Sequence, residues 1–210
     1  MAAEVSQGQA RSAPPLDQKK CYQALKGRQR TRFDFPDAGK RMENSKTELY
    51  DRLAAQLSSL LAGERDLTAN AANLSALIFH ALPDLNWAGS YFKKDGELVL
   101  GPFQGQPACV RIRIGEGVCG KSAARCETVI VPNVHEFPGH IACDSASNSE
   151  IVVPLMKDSQ LVGVLDLDSP SFARFDEKDA SGLERLAKIF VESIESDNSA
   201  GAISLKQPDV

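Results

Sequence analysis

Read for period, the chain falls into two helical stretches, a block of alternating segments and a last long helix. Between residues 46 and 62 apolar side chains recur at Leu49, Leu53, Leu57, Leu60 and Leu61, the spacing of a helix with one buried face, and Gly63 ends it. A second helix is expected over residues 66–81, with Leu67, Ala71, Leu74, Leu77, Ile78 and Ala81 on its face and Pro83 stopping it. The period then changes to two. Residues 87–93 read as a strand, Asp95-Gly96 as a hairpin turn and residues 97–100 as the partner strand. Trp87, Gly89 and Tyr91 would share one face and Ala88, Ser90 and Phe92 the other. Further strands are predicted over residues 108–114, 128–131, 150–155 and 161–165. A glycine-rich turn at 115–120 opens a short helix through Ala124, and residues 132–144 form an irregular loop. Asp176 caps the final helix with Asp179 at the third helical position, and Leu183, Leu186, Ala187, Phe190, Val191 and Ile194 make its buried stripe. Tight turns between strands, with helices beside them, give an α+β domain built on about six antiparallel strands.

The length of 210 residues suits one such domain with tails. Residues 1–44 are expected to be a flexible N-terminal extension, 45–196 the domain and 197–210 a polar C-terminal tail. The net charge of -4 is uneven: residues 1–45 carry nine Lys or Arg against five Asp or Glu, so the rest of the chain is strongly acidic. A nucleic-acid surface on the domain is therefore excluded, since phosphate contacts need a basic field. No apolar run approaches the roughly 20 residues of a membrane span, and the first 25 residues lack the apolar segment of a signal peptide. Five cysteines, an odd number, suit a reducing compartment, which points to a cytoplasmic protein. Cys21, in the extension, reads as a bystander.

Two motif matches are misleading. Gly115 to Ser122 fits G-x-x-x-x-G-K-S, with Lys121 and Ser122 in place, but a phosphate loop follows a buried parallel strand. Here the preceding Arg111-Ile112-Arg113-Ile114 alternates as a half-exposed strand does. His135, His140, Cys143 and Cys119 are zinc-ligand types, yet the paired C-x-x-C spacing that makes such a reading strong is absent, so no metal is expected.

The chemistry concentrates between Gly101 and Asp168. Cys119 opens a short helix, where free amides and the positive helix end can lower a thiol's pKa. Cys143 lies in the loop with His140 and Asp144, and Cys109 lies just before the glycine-rich turn; such a set suits a thiol oxidised by substrate and resolved by a second thiol. Cys126 reads as a small buried apolar residue. Glu150 opens an apolar strand and Asp166 and Asp168 end another with the same parity, so these acids could bind an amine or hold a proton between them. Trp87 and Tyr91 are either core or the wall of a pocket. Arg111 and Arg113 could meet a substrate carboxylate, though an exposed strand accounts for them as well.

At Asn86–Tyr91 (NWAGSY), Gly101–Cys109 (GPFQGQPAC), Gly115–Gly120 (GEGVCG), Val131–Asp144 (VPNVHEFPGHIACD), Ser149–Pro154 (SEIVVP) and Gly163–Ser169 (GVLDLDS) the chain closely resembles the free methionine-(R)-sulfoxide reductases. These are single GAF-domain enzymes. The resemblance implies a GAF-like fold, redox roles for Cys109, Cys119 and Cys143, and substrate contacts from Glu150, Asp166, Asp168, Trp87 and Tyr91. It further implies reduction of free methionine-(R)-sulfoxide without metal or flavin, through a cysteine sulfenic acid and an intramolecular disulfide. Thioredoxin or a related dithiol protein would then regenerate the thiols. Cys143 is the favoured attacking residue with Cys119 or Cys109 resolving; the competing assignment starts from Cys119. The rival reading is a GAF-type sensor of a small ligand or of redox state that does not turn over, and a homodimer is compatible with either.

Overall fold

The computed structural model describes residues 46–141 and 145–195. The expected extension with Cys21, the tail after 196, and Cys143 with Asp144 lie outside the described residues. Among the described residues two helices come first, α1 over Lys46–Leu60 and α2 over Leu67–Ala81, and both follow the apolar spacing of the sequence. Asp66 caps α2 by accepting the Ala69 amide at 2.7 Å. The strands are β1 Trp87–Lys94, β2 Glu97–Gly105, β3 Arg111–Arg113, β4 Val129–Val131, β5 Ser149–Lys157 and β6 Gln160–Ser169. Helix α3, Gly117–Arg125, sits between β3 and β4, and α4, Glu177–Ser193, closes the domain. All strand pairs are antiparallel, in the order β3-β2-β1-β6-β5-β4, so β1 and β6 form the centre. Among the described residues the architecture is α+β, a six-stranded antiparallel sheet with four helices, as expected for a GAF-like fold.

Alternation along the strands separates two cores. Ala88, Phe92, Ile151, Val153, Leu155, Leu165 and Leu167 point to the side covered by α1, α2 and α4, where Leu57, Leu74, Ile78, Leu183 and Phe190 are fully buried. Each such side chain contributes roughly 1.5–3 kcal/mol on burial, and this layer is the stabilising mass of the domain. Trp87, Tyr91, Val152 and Val164 point the other way, into a smaller cluster with Val118, Cys119 and Val134.

Asp179 ties the helical layer together. Its buried carboxylate accepts from Tyr50 Oη at 2.9 Å, lies 2.5 Å from Lys46 Nζ and 3.2 Å from Arg174, and accepts the Asp176 amide at 3.0 Å. Asp176 in turn accepts the amides of Lys178 and Asp179, completing the capping box read in the sequence. Burial, and then the Asp179 charge, push the Tyr50 phenol well up.

Several strand limits differ from the expected ones: β5 and β6 are longer, running over Ser149–Lys157 and Gln160–Ser169. β2 runs on to Gly105, through Gly101-Pro102-Phe103. The β1 register shifts between Gly89 and Tyr91, which leaves Pro102 at a bulge where its missing amide costs nothing. β3 is only Arg111–Arg113; the Leu100 amide still donates to the Val110 carbonyl at 3.0 Å, one step further in the same register, and the chain before it is not a strand. Cys109 is therefore on a connecting segment, not a strand. Among the described residues no helix is long and apolar enough to cross a membrane.

Candidate active site

Three strands and one helix put Trp87, Tyr91, Cys119, Glu150, Asp166 and Asp168 of the predicted site on one surface. Glu150 faces Asp168 across the β5–β6 ladder, Val152 faces Asp166, and on the other flank of β6 Trp87 pairs with Asp168 and Gly89 with Asp166. A period of two therefore stands Trp87, Gly89, Tyr91, Asp166, Asp168 and Glu150 on the face away from the main core. Helix α3 lies over that face and brings Cys119 to it, with Sγ 4.0 Å from Glu150 Oε1. Trp87 stacks on Tyr91 with ring centroids 5.9 Å apart and on Phe103 at 5.4 Å. Its indole N–H donates to the Gln106 carbonyl at 3.1 Å, so the polar edge of the ring is anchored. Gly89 is needed here: a Cβ would fall 2.5 Å from Phe103 Cβ and from the Trp87 ring, which lies across this position.

The resulting pocket is walled by Trp87, Tyr91, Val118 and Ile112, with Cys119, Glu150, Asp166 and Asp168 as its polar groups and His140 and Ile141 at one side. Cys109 packs against the same cluster without lining the cavity.

Electrostatics in this pocket run against an expectation from the sequence. Cys119 opens α3 as predicted, but its thiol is held well above its ordinary pKa, first by burial and then by the charges of Asp166 and Glu150. Strands distant in sequence supply those carboxylates, and they outweigh the helix start. Burial, followed by the charge of Asp168, pushes Glu150 up; burial, followed by the charge of Glu150, pushes Asp166 up. Asp166 is in hydrogen-bonding contact with both Cys119 and Glu150, while its buried Oδ1 has no partner among the described residues. Burial and mutual repulsion therefore favour a proton held within this cluster, which suits it to donate to a group that develops negative charge in the pocket.

One ligand atom from each of Cys119, Glu150 and Asp166 lies within 4.8 Å of the others, so these are the described residues that could hold a metal ion. Of the two histidines weighed for zinc, His135 is exposed and bonds Asn148 at 2.9 Å, away from the cluster, whereas His140 lies beside it, 3.6 Å from Glu150, its pKa lowered by burial. Cys126, expected to be buried, is exposed; it ends α3 in a left-handed conformation, φ 54°. Arg111 and Arg113 are surface residues paired with Glu97 at 3.2 Å and Glu116 at 3.4 Å, away from the pocket. Sequence reasoning missed Phe103 and Ile141, which carry no chemical signature beyond their place within the motif stretches.

Comparison with known proteins fits this geometry. A family model described as GAF domain matches residues 68–195. The chain is 53% identical over 142 residues to the free methionine-R-sulfoxide reductase of Escherichia coli strain K12, covering 68% of this chain and 86% of that one. The structure of the free methionine-R-sulfoxide reductase from Neisseria meningitidis, in complex with its substrate, is similar at a TM-score of 0.70 and 46% identity, over 75% of this chain and 95% of that one. A Burkholderia vietnamiensis protein described as a GAF sensor is similar at a TM-score of 0.69 and 60% identity, over 71% and 96% of the respective chains.

Proposed function

Because this chain belongs to the free methionine-(R)-sulfoxide reductases of the GAF-domain family, we propose that it reduces free methionine-(R)-sulfoxide to methionine at the pocket beneath α3. The observation that carries the reading is the convergence of Cys119, Glu150 and Asp166 in a buried, proton-retaining cluster beside the Trp87–Tyr91 wall. A sulfoxide offers a sulfur for thiol attack and a basic oxygen that must gain a proton, and the apolar wall accommodates the thioether chain.

In the first step a cysteine thiol attacks the sulfoxide sulfur as the acid cluster protonates its oxygen. The S–O oxygen passes to the cysteine, giving methionine and a cysteine sulfenic acid; the sulfoxide gains the two electrons that the thiol loses. A second cysteine thiol displaces water from the sulfenic acid and forms a disulfide. Thioredoxin or a related dithiol protein reduces that disulfide by exchange, becoming oxidised itself. The elevated pKa of Cys119 disfavours it as the resting nucleophile and supports Cys143 in that role, with Cys119 or Cys109 resolving. Selection for the free amino acid follows from the acids: an ammonium group beside Asp168 and Glu150 relieves their repulsion, whereas a peptide nitrogen carries no charge and adds bulk.

The test is incubation of the reduced protein with dithiothreitol and racemic free methionine sulfoxide, with methionine release and loss of each diastereomer quantified. Cys143→Ser should be inactive in any reductant. Cys119→Ser or Cys109→Ser should keep turnover with dithiothreitol and lose it with thioredoxin. No methionine from the unmodified protein would overturn the reading in favour of a ligand sensor that binds without turnover.

A further inference from the structure

The lysine and serine of the misleading G-x-x-x-x-G-K-S match have structural partners. Ser122 Oγ donates to the Glu127 carbonyl at 2.8 Å and lies 3.5 Å from that of Val152, fixing the end of α3 against β5. Lys121 reaches instead across to the segment that follows the short 3-10 turn Val134–Glu136. Its ammonium donates to the Pro138 carbonyl at 2.6 Å and lies 4.1 Å from the centre of the Phe137 ring.

What it holds is a tight turn. Phe137-Pro138-Gly139-His140 has proline at its second position, glycine at φ +76° at its third, and a bond from the His140 amide to the Phe137 carbonyl at 3.1 Å. These are the marks of a type II turn, in which the middle carbonyl, that of Pro138, has no acceptor role within the turn. Lys121 fills that role from outside and covers the ring at the turn's first position. Just past the turn, Ile141 packs over Gly117: a Cβ at Gly117 would meet Ile141 Cδ1 at 3.2 Å. The turn is thus clamped to α3 at both ends, and the residues it delivers, His140 and Ile141, line the pocket.

We infer that Lys121 is a positioning residue, which pins the 137–140 turn to the helix carrying Cys119 and so sets His140 and Ile141 as one wall of the substrate pocket. The inference rests on the proposed reductase activity for its kinetic consequence, but not for its structural one. Of the two clamps, Lys121 is the one that makes a polar bond to the turn itself. Releasing it displaces the groups that contact substrate and uncovers Cys119 without touching either.

The experiment compares Lys121→Met, which keeps the aliphatic stem, with Lys121→Arg, whose guanidinium can still donate to the carbonyl and lie over the ring. In Lys121→Met the KM for free methionine-(R)-sulfoxide should rise by about 5-fold or more with kcat changed by less than about 2-fold, the signature of lost substrate binding. Iodoacetamide should alkylate Cys119 about 5-fold faster, read peptide by peptide by mass spectrometry, while the exposed Cys126 keeps its rate as internal control. Lys121→Arg should restore both readings to near those of the unmodified protein. Unchanged KM and unchanged Cys119 alkylation in Lys121→Met would overturn the inference, as would equal faults in the Arg variant. Should Lys121→Met fail to fold by circular dichroism, Phe137→Leu, which deletes the ring under the ammonium, carries the same test. If the unmodified protein yields no methionine, the reductase reading falls, and the Cys119 alkylation rates still decide the role of Lys121.

Discussion

Replacing Asp166 by Asn should make the protein more stable and less active together. Asp166 and Glu150 are both buried, and their ligand atoms share with Cys119 Sγ a region only 4.8 Å across. Two ionised carboxylates at that separation would repel by roughly 3.5 kcal/mol at an effective dielectric of about 20. Keeping a proton relieves most of this, so removing one charge returns about 1–2 kcal/mol at pH 8, or a rise in Tm of about 2–8 °C for a domain of this size. The amide fits, since Asn Nδ2 can donate to Glu150 as a protonated Asp166 would. The pH dependence has a definite sign. Both acids are raised by burial and mutual charge, so above the unfolded carboxylate range near pH 4 the native state binds more protons than the unfolded one. These groups therefore lower stability as pH rises through that window, and below it they contribute no penalty. Scanning calorimetry of Asp166→Asn against the unmodified protein should show a Tm advantage that grows from near zero at pH 4 towards pH 8. Methionine release should fall by about 100-fold or more if the group supplies the proton. A variant less stable than its parent at pH 8, or an advantage equal at pH 4 and 8, would refute the electrostatic account.

Other perturbations separate the pocket from its support. Asp179→Asn should cost about 3 kcal/mol, read as a lower urea midpoint, because it takes the carboxylate from the buried Arg174, leaves Lys46 with Asp176 alone, and weakens the bond from Tyr50. Gly89→Ala should cost about 1–3 kcal/mol by overpacking against Phe103 and Trp87, and raise KM by tilting the aromatic wall; an unchanged KM would mean that Trp87 does not shape the site. Alkylation of Cys126 alone should leave turnover intact, because its exposed thiol belongs to a different surface from the pocket.

The helices and most strands were legible because their apolar spacing is clean: the stripe from Leu183 to Ile194 is buried throughout, and the capping box at Asp176 forms as read. The run of β2 beyond Leu100 was not, because Gly101-Pro102 reads as a breaker until a bulge is known to accommodate it. In the site, parity alone placed Glu150, Asp166 and Asp168 on one face, and the ladders agree. The state of Cys119 could not be read the same way. Its local sequence advertises a helix start, whereas its pKa is raised first by burial and then by carboxylates, both of which only tertiary pairing brings about. Lys121 was hidden for a similar reason, since its partners are a carbonyl and a ring on a separate loop.

The central position of β6 beside β1 also bears on how the protein comes into being. The acids of β6 are made long after the aromatic wall of β1, and the two meet only when the last strand of the sheet inserts between β1 and β5. Such non-local pairing makes closure of the sheet a slow step in folding. It also means that a chain still emerging from the ribosome carries its thiols apart from their acids. The reactive cluster is thus assembled late, by the same event that completes the fold, and an incompletely synthesised chain cannot display it.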